Sequence, residues 1–271
     1  MLLTKHKTTA GVRWAVAGSF LPPSFNLGTL LELPRENMLG LLETLPIGES
    51  AVGEEVAPID PGQEVWAAGV TYLRSREARR LESTVADMYD RVYEAARPEL
   101  FFKSSGWRVA GSGTPIRIRA DSRWNVPEPE LVLVINRQGE IVGYCAGNDV
   151  SSRDIEGENP LYLPQAKVYN GSCALGHGIL LCEPEEIQDI LIRLEIQRRD
   201  ETIFAGETTT ATMKRALSEL VEYLTCELYF PQGVFLMTGT CLVPGNDFTL
   251  QPEDLVSIQV GALKIENRVT G

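Results

Sequence analysis

The sequence predicts a β-rich α+β protein. Two observations lead there: most of the chain divides into short strand-like segments separated by turns, and only two stretches have sustained helical periodicity. Length supports it, since 271 residues can bury a sizeable core as one large β-rich domain or as a small domain plus a larger one.

Residues 1–62 are loosely patterned, with turn and loop signals in "FLPPSFNLGTLLELP" and "VAPIDPGQ" and a short helical piece near "ENMLGLLETL". They read as a small N-terminal region ahead of a larger domain over residues 63–271. "EVWAAGVTY" reads as a buried strand. The stretch after it places Ala78, Leu81, Val85, Met88, Tyr89, Val92 and Ala96 at helical spacing, and Pro98 ends that helix. A second helix is predicted in "TATMKRALSELVEYLTCEL", with Met213, Leu217, Leu220, Val221 and Leu224 on one face and N-caps in the run Thr208–Thr210. Strands are predicted in "LFFK", "PIRIRA", "ELVLVIN", "IVGYCAGND", "GILLCE", "IRLEIQRR", "ETIFAGE", "VSIQVGAL" and "IENRV". Turns such as "NRQGE" and "RRDET" separate them. "GSGT" lacks the strand–GxGxxG–helix context of a nucleotide site and reads as a turn.

The composition sets limits on function. Apolar residues make up 44%, the proportion of an ordinary soluble protein, and the net charge of −12 argues against nucleic acid as a partner. Small anionic ligands stay admissible, because a metal or a local cluster of basic residues reverses the sign inside one pocket. Five cysteines without CxxC or CxxH spacing fit buried thiols in a reducing compartment. The N-terminus lacks the apolar core of a signal peptide and no apolar run reaches membrane-span length, so a cytoplasmic protein without membrane contact is expected.

The stretch "VPEPELVLVINRQGEIVGYCAGNDVSSRD" concentrates the chemistry. Residues i and i+2 of a strand point to one side, so Glu128 and Glu130 project together. Close carboxylates repel unless a cation or a proton joins them, and a hard divalent cation such as Mg²⁺ takes oxygen ligands of this kind. Asp149 ends the next strand after the "NRQGE" turn, and a hairpin brings it back beside the glutamates. Taken alone, an ExE pair is equally a solvated strand face, Asp149 a turn residue, and Arg153–Asp154 a local ion pair.

A resemblance separates these readings. "PEPEL", then "GYCAGNDVSSRD", then "LPQAKVYNGSCALG", with the late "TGT" at Thr238–Thr240, resembles the core of the fumarylacetoacetate hydrolase superfamily over roughly residues 65–269. "GVTYLRSREAR", "RPELFFK" and "EGENPLYLPQAKVY" resemble in particular its 2-keto-3-deoxy-D-arabinonate dehydratases. The resemblance implies a mixed β-roll assembled as a homo-oligomer, a dimer or a tetramer. It implies Mg²⁺, with Mn²⁺ or Ca²⁺ as substitutes, held by Glu128, Glu130 and Asp149. It places Lys167 beside the metal and Glu99 in the site as its catalytic partner. It places Ser75, Lys103, Arg153 and Thr240 at the substrate.

The histidine that activates water in the hydrolases has no counterpart in "TYLRSREAR". His6 is expected to be exposed, and His177 to be structural. Without that base, carbon–carbon bond hydrolysis loses its water activator, which favours lyase chemistry on a small anionic 2-keto acid. Mg²⁺ supplies Lewis acidity at the 2-keto carbonyl, a base takes the C3 proton, an acid protonates the departing C4 hydroxyl, and tautomerisation gives a 2-keto acid semialdehyde. Lys167 and Glu99 are the candidate pair, with base and acid unassigned between them. Two other readings stand: a hydrolase, isomerase or decarboxylase of the superfamily, and a non-catalytic binding protein that keeps the fold. Of the arginines, Arg74, Arg76, Arg79 and Arg80 read as a solvated helix face, and Tyr89 and Tyr93 as core or interface.

Overall fold

A hairpin at the centre of the protein organises everything around it. The strands Pro129–Ile135 and Ile141–Asp149 are buried at every position and pair antiparallel, Glu130 opposite Gly147 and Leu131 opposite Ala146. Side chains on both faces of such strands are covered, which is why they read as unbroken apolar runs rather than as alternation. Each fully buried Leu or Val contributes about 1.5–3 kcal/mol relative to exposure. The turn closes because Asn136 Oδ1 accepts from the N–H groups of Gln138 (3.1 Å) and Glu140 (2.8 Å). The computed structural model describes residues 1–73 and 86–271, side chains of 86–89 excepted.

An eleven-stranded mixed sheet grows outward from the hairpin. On one side lie Val234–Met237, then Glu64–Gly69 parallel to it, then Glu99–Ser105 at the edge. On the other lie Gly178–Leu181, Leu2–Thr8, Gly11–Val16 and Ser19–Phe20. A five-stranded sheet orders Glu201–Thr209, Leu191–Arg198, Leu255–Val260, Leu263–Thr270 and Ile116–Arg117. Three of its strands, Leu191–Arg198, Leu255–Val260 and Leu263–Thr270, alternate buried and less buried residues and pack on the central hairpin, while the edge strand Glu201–Thr209 has no buried residue. Strand outweighs helix, 38% against 21%, as expected for a β-rich α+β fold.

Some local expectations are corrected. Residues 1–20 hold three strands where loose patterning was read. The first continues the main sheet through Leu2–Leu180 to Thr4–Gly178 pairing. His6, expected to be exposed, is 5% exposed: Nε2 lies 2.8 Å from Thr4 Oγ1 and the ring packs edge-on against Phe20. The helix predicted from the threonine run begins at Leu217 and ends at Thr225. Thr209 instead caps a separate 3-10 turn over Thr210–Thr212. Leu217, Leu220, Val221 and Leu224 are its buried stripe, as the periodicity required, and Met213 lies outside it. The first predicted helix is present over Ala86–Glu94. It stops there, short of the predicted Ala96 and Pro98, and the part of that prediction before Ala86 falls outside the described residues, as do Arg74, Ser75, Arg76, Arg79 and Arg80.

Candidate active site

The hairpin register delivers three carboxylates to one point. Asp149 N–H donates to the Glu128 carbonyl at 3.0 Å, so the end of one strand faces the start of the other. Glu128, Glu130 and Asp149 are 1–2% exposed, and one oxygen from each lies within 4.8 Å of the others. Burial alone disfavours ionised carboxylates, and three together disfavour it further. Burial first, then Asp149 and Glu128, push the Glu130 carboxyl well above its ordinary range. Lys167 and the Gly239 N–H, which donates to Glu130 Oε2 at 2.6 Å, act the other way.

Among the described residues, three cations answer the carboxylates, each from a different element. Lys103, in the strand Glu99–Ser105, is fully buried. Its ammonium lies on Asp149 Oδ1 and donates to the carbonyls of Val150 (3.2 Å) and Lys167 (2.6 Å). Arg153 opens the helix Arg153–Glu158 and donates from Nη2 to Glu128 Oε1 at 2.7 Å. Lys167 ends the helix Leu163–Lys167 and donates to Glu128 Oε2 (2.5 Å), Asp149 Oδ2 (3.0 Å) and Ser151 Oγ (2.6 Å). Residues 153–167 form two short helices joined by a 3-10 turn that Asn159 caps. Arg153 and Asp154 form no local pair: Asp154 accepts instead from Ser122, Ser152 and the N–H groups of Arg123 and Ile155.

Strand alternation places Glu99 and Phe101 on one face, and the register slips at Lys103, which has no cross-strand partner. Phe101 packs 5.7 Å from Lys167 Nζ, so Glu99 lies on the side facing the lysine. The Glu99 carboxylate crosses its cross-strand partner Gly69, where an added Cβ would sit 2.1 Å from Oε2. Only glycine leaves that path open. Beyond Gly69 the chain turns through Val70 at φ +53, a conformation that costs a β-branched residue about 1–3 kcal/mol. The turn lets Thr71 Oγ1 donate to the Thr238 carbonyl at 2.7 Å and buries Tyr72 beside Glu130 and Cys241. Burial and those two groups push the Tyr72 hydroxyl pKa up. In the "TGT" segment, Gly239 adopts φ +91 with Thr71 Oγ1 where a Cβ would stand. Thr240 follows it, 8% exposed, its Oγ1 accepting from Leu242 N–H at 3.2 Å.

The arrangement suits a hard dication. All candidate ligand atoms are carboxylate oxygens, and among the described residues no basic side chain pairs with Glu130. Asp149 Oδ1 touches Lys103 but has no hydrogen bond of ordinary geometry. Buried anionic oxygens left this way are matched by a cation that accepts oxygen ligands.

The fumarylacetoacetate (FAA) hydrolase C-terminal family model matches residues 64–270. The chain belongs to that family. Its relatives sharpen the placement within the family. Over 217 residues, 79% of this chain and 74% of the relative, it is 48% identical to a protein of Haloferax volcanii named probable 2-keto-3-deoxyxylonate dehydratase. Over 209 residues, 75% and 70%, it is 44% identical to the 2-dehydro-3-deoxy-D-arabinonate dehydratase of Saccharolobus solfataricus. A crystal structure of 2-keto-3-deoxyarabinonate dehydratase superposes with a TM-score of 0.85 at 32% identity, covering 100% of this chain and 99% of that one. A structure of 2-keto-3-deoxy-D-arabinonate dehydratase complexed with magnesium and 2,5-dioxopentanoate superposes at 0.83, with the same identity and coverage.

Of the residues singled out by the sequence, the structure brings together Glu128, Glu130, Asp149, Lys167, Arg153 and Lys103, with Glu99 on the same strand as Lys103 and Thr240 one residue from a Glu130 contact. The sequence reading passed over Ser151, Tyr72 and Tyr169. The first lay inside the "NDVSSRD" block and the last two inside quoted motifs, but none carries a charge to mark it. Neither histidine reaches the cluster through any described hydrogen bond. His177 Nδ1 lies 3.1 Å from the Lys264 carbonyl, in keeping with a structural role.

Proposed function

We propose that this protein is a Mg²⁺-dependent dehydratase of a 2-keto-3-deoxy sugar acid such as 2-keto-3-deoxy-D-arabinonate, producing 2-oxoglutarate semialdehyde. The observation that carries this reading is Lys167: its ammonium rests on two carboxylates of a buried three-carboxylate cluster, with Glu99 on the facing strand. It gains weight from the named dehydratases at 48% and 44% identity, and from the structural neighbour that holds magnesium and 2,5-dioxopentanoate.

Glu128, Glu130 and Asp149 would hold the cation, which supplies Lewis acidity at the 2-keto carbonyl. Lys167 and Glu99 move the protons: one removes a C3 hydrogen and the other protonates the C4 hydroxyl as it leaves as water. The C3–C4 double bond so formed becomes the semialdehyde when one proton leaves C5 and two successive protonations occur at C3 and C4, the C5 hydroxyl giving up its own proton. Arg153 and Lys103 act through the carboxylates they hold and border the substrate, while Thr240 and Ser75 contact it. Mn²⁺ or Ca²⁺ would replace Mg²⁺ in the same oxygen cage.

The test is a panel of 2-keto-3-deoxy pentonates and hexonates with Mg²⁺ and after chelation, read out as semialdehyde. Semialdehyde is expected only with metal. Silence on the whole panel would overturn the reading.

The wider proposal is a homo-oligomer, dimer or tetramer, working in pentose breakdown in the cytoplasm, with residues 1–62 as an accessory region. Among the described residues no helix is long and apolar enough to cross a membrane. Light scattering at micromolar concentration should give a multiple of 29.9 kDa. A monomer mass would remove the oligomer from the proposal.

A further inference from the structure

Tyr169 stands two residues beyond Lys167 and is held on every side but one. Its N–H donates to Ser172 Oγ at 3.3 Å. The same hydroxyl lies 2.8 Å from the carbonyls of both Tyr169 and Lys167, which locks the backbone of the two residues together. The ring packs against the Arg119 guanidinium, 5.6 Å from its centroid. Arg119 is fixed in turn by a two-pronged pair with Asp121 (2.7 and 2.6 Å) and a hydrogen bond to the Gln165 carbonyl. A ring clamped this way points its hydroxyl in one direction.

That hydroxyl is buried and has no hydrogen-bond partner among the described residues. The charged groups acting on it are Asp149, Lys167, Arg119 and Glu128; burial and Asp149 keep it a neutral phenol, able to donate. A buried donor without an acceptor costs about 1–3 kcal/mol, so such groups mark places where a partner is supplied from outside. Asp149, Lys167 and Glu128 all act on it, so the hydroxyl lies beside the carboxylate cluster.

We propose that Tyr169 is a further substrate-binding residue, whose Oη donates a hydrogen bond to the C4 hydroxyl oxygen of the 2-keto-3-deoxy acid; this rests on the dehydratase reading above. The substrate's carboxylate and 2-keto oxygens are the pair suited to a dication. Lys167 is one of the two groups that serve C3 and C4. The next oxygen along the chain is the C4 hydroxyl, and Tyr169 Oη, two residues from Lys167, is a buried donor with no partner among the described residues. In the elimination the C3–H bond breaks with its proton passing to the base, C3=C4 forms, and the C4–O bond breaks with its electron pair staying on oxygen. The acid of the Lys167–Glu99 pair protonates that oxygen to water. Tyr169 keeps its own proton. Its hydrogen bond strengthens as charge builds on the leaving oxygen, so it favours the transition state over the bound substrate.

The experiment compares two reactions of the same Mg²⁺-loaded enzyme. One is dehydration of the 2-keto-3-deoxy acid. The other is exchange of the C3 hydrogens of 2-oxopentanoate in D₂O, followed by NMR; this acid has the same carboxylate and keto group but no C4 hydroxyl. Tyr169→Phe is expected to lower kcat and kcat/KM for dehydration about 10–100-fold and to leave C3 exchange within twofold of wild type. Dehydration at the wild-type rate would overturn the proposal. A parallel fall of both activities would also overturn it, since that is what a purely structural tyrosine produces. A wild-type enzyme that dehydrates no member of the panel is a different failure, one of the dehydratase reading itself, and it shows before any variant is made.

Discussion

Lys167→Met enzyme loaded with Mg²⁺ is expected to fold and to dehydrate its substrate about 10²–10⁴-fold more slowly, the usual loss on removing a group that carries a proton in the transition state. A lysine in a surface loop would behave differently, since its loss changes stability within about 0.5 kcal/mol. Lys167 is not such a lysine: it is 2% exposed and donates to Glu128, Asp149 and Ser151. Its removal therefore also has a structural consequence. Without metal, the described residues leave Lys103 and Arg153 beside the three carboxylates, and breaking a buried ion pair by deleting one partner costs about 3–5 kcal/mol. Thermal unfolding should show the variant well below wild type in chelator, with much of the gap closed by Mg²⁺. Lys167→Arg separates charge from proton transfer, because a guanidinium keeps its proton near neutral pH. It should retain stability and lose turnover. Near-wild-type turnover in Lys167→Arg would show that a fixed positive charge suffices, and would move the proton chemistry to Glu99.

The central hairpin was readable because two regularities coincide there. An apolar run long enough for a strand stood on each side of a turn with Asn and Gly, and that turn sets the register which carries Asp149 back to Glu128. The N-terminal strands were not readable, because Thr4, Lys5 and His6 are all buried and erase the alternation that marks a strand. Their burial depends on distant partners: Lys5 pairs with Asp60, which also accepts from Trp14 Nε1 and Gly28 N–H. Lys103 illustrates the same limit. An ammonium with no exposure is affordable only because Asp149 and two carbonyls surround it, and the chain brings those from 46 to 64 residues away. Local pattern identifies groups that act in pairs along one strand or hairpin. Groups whose setting is made only by the folded surroundings, such as Tyr72 and Tyr169, are legible only in the folded structure.

Glu130→Gln should move stability and metal binding in opposite directions, which sets a ligand role apart from simple damage to the fold. Glutamine keeps the shape and can still accept from Gly239 N–H, but it removes one anionic ligand. Loss of a partner outside the ligand set already costs about 10–100-fold in metal affinity, so loss of a direct ligand should cost at least that, with turnover at a fixed Mg²⁺ concentration falling alongside. In the metal-free protein the sign reverses. A carboxyl whose folded-state pKa is raised above its unfolded value contributes stability at low pH and loses it as the pH rises through the unfolded and folded values. Each unit of that displacement is worth about 1.4 kcal/mol. Glu130 is displaced in that direction by burial, Asp149 and Glu128. Removing its charge should therefore raise the metal-free unfolding midpoint at neutral and alkaline pH, and the advantage should shrink as the pH is lowered toward the ordinary carboxyl range. Titration calorimetry with MgCl₂ and pH-resolved thermal unfolding in chelator measure the two effects separately. A variant that binds Mg²⁺ as tightly as wild type, or a chelated wild-type enzyme with full activity, would remove Glu130 from the metal site.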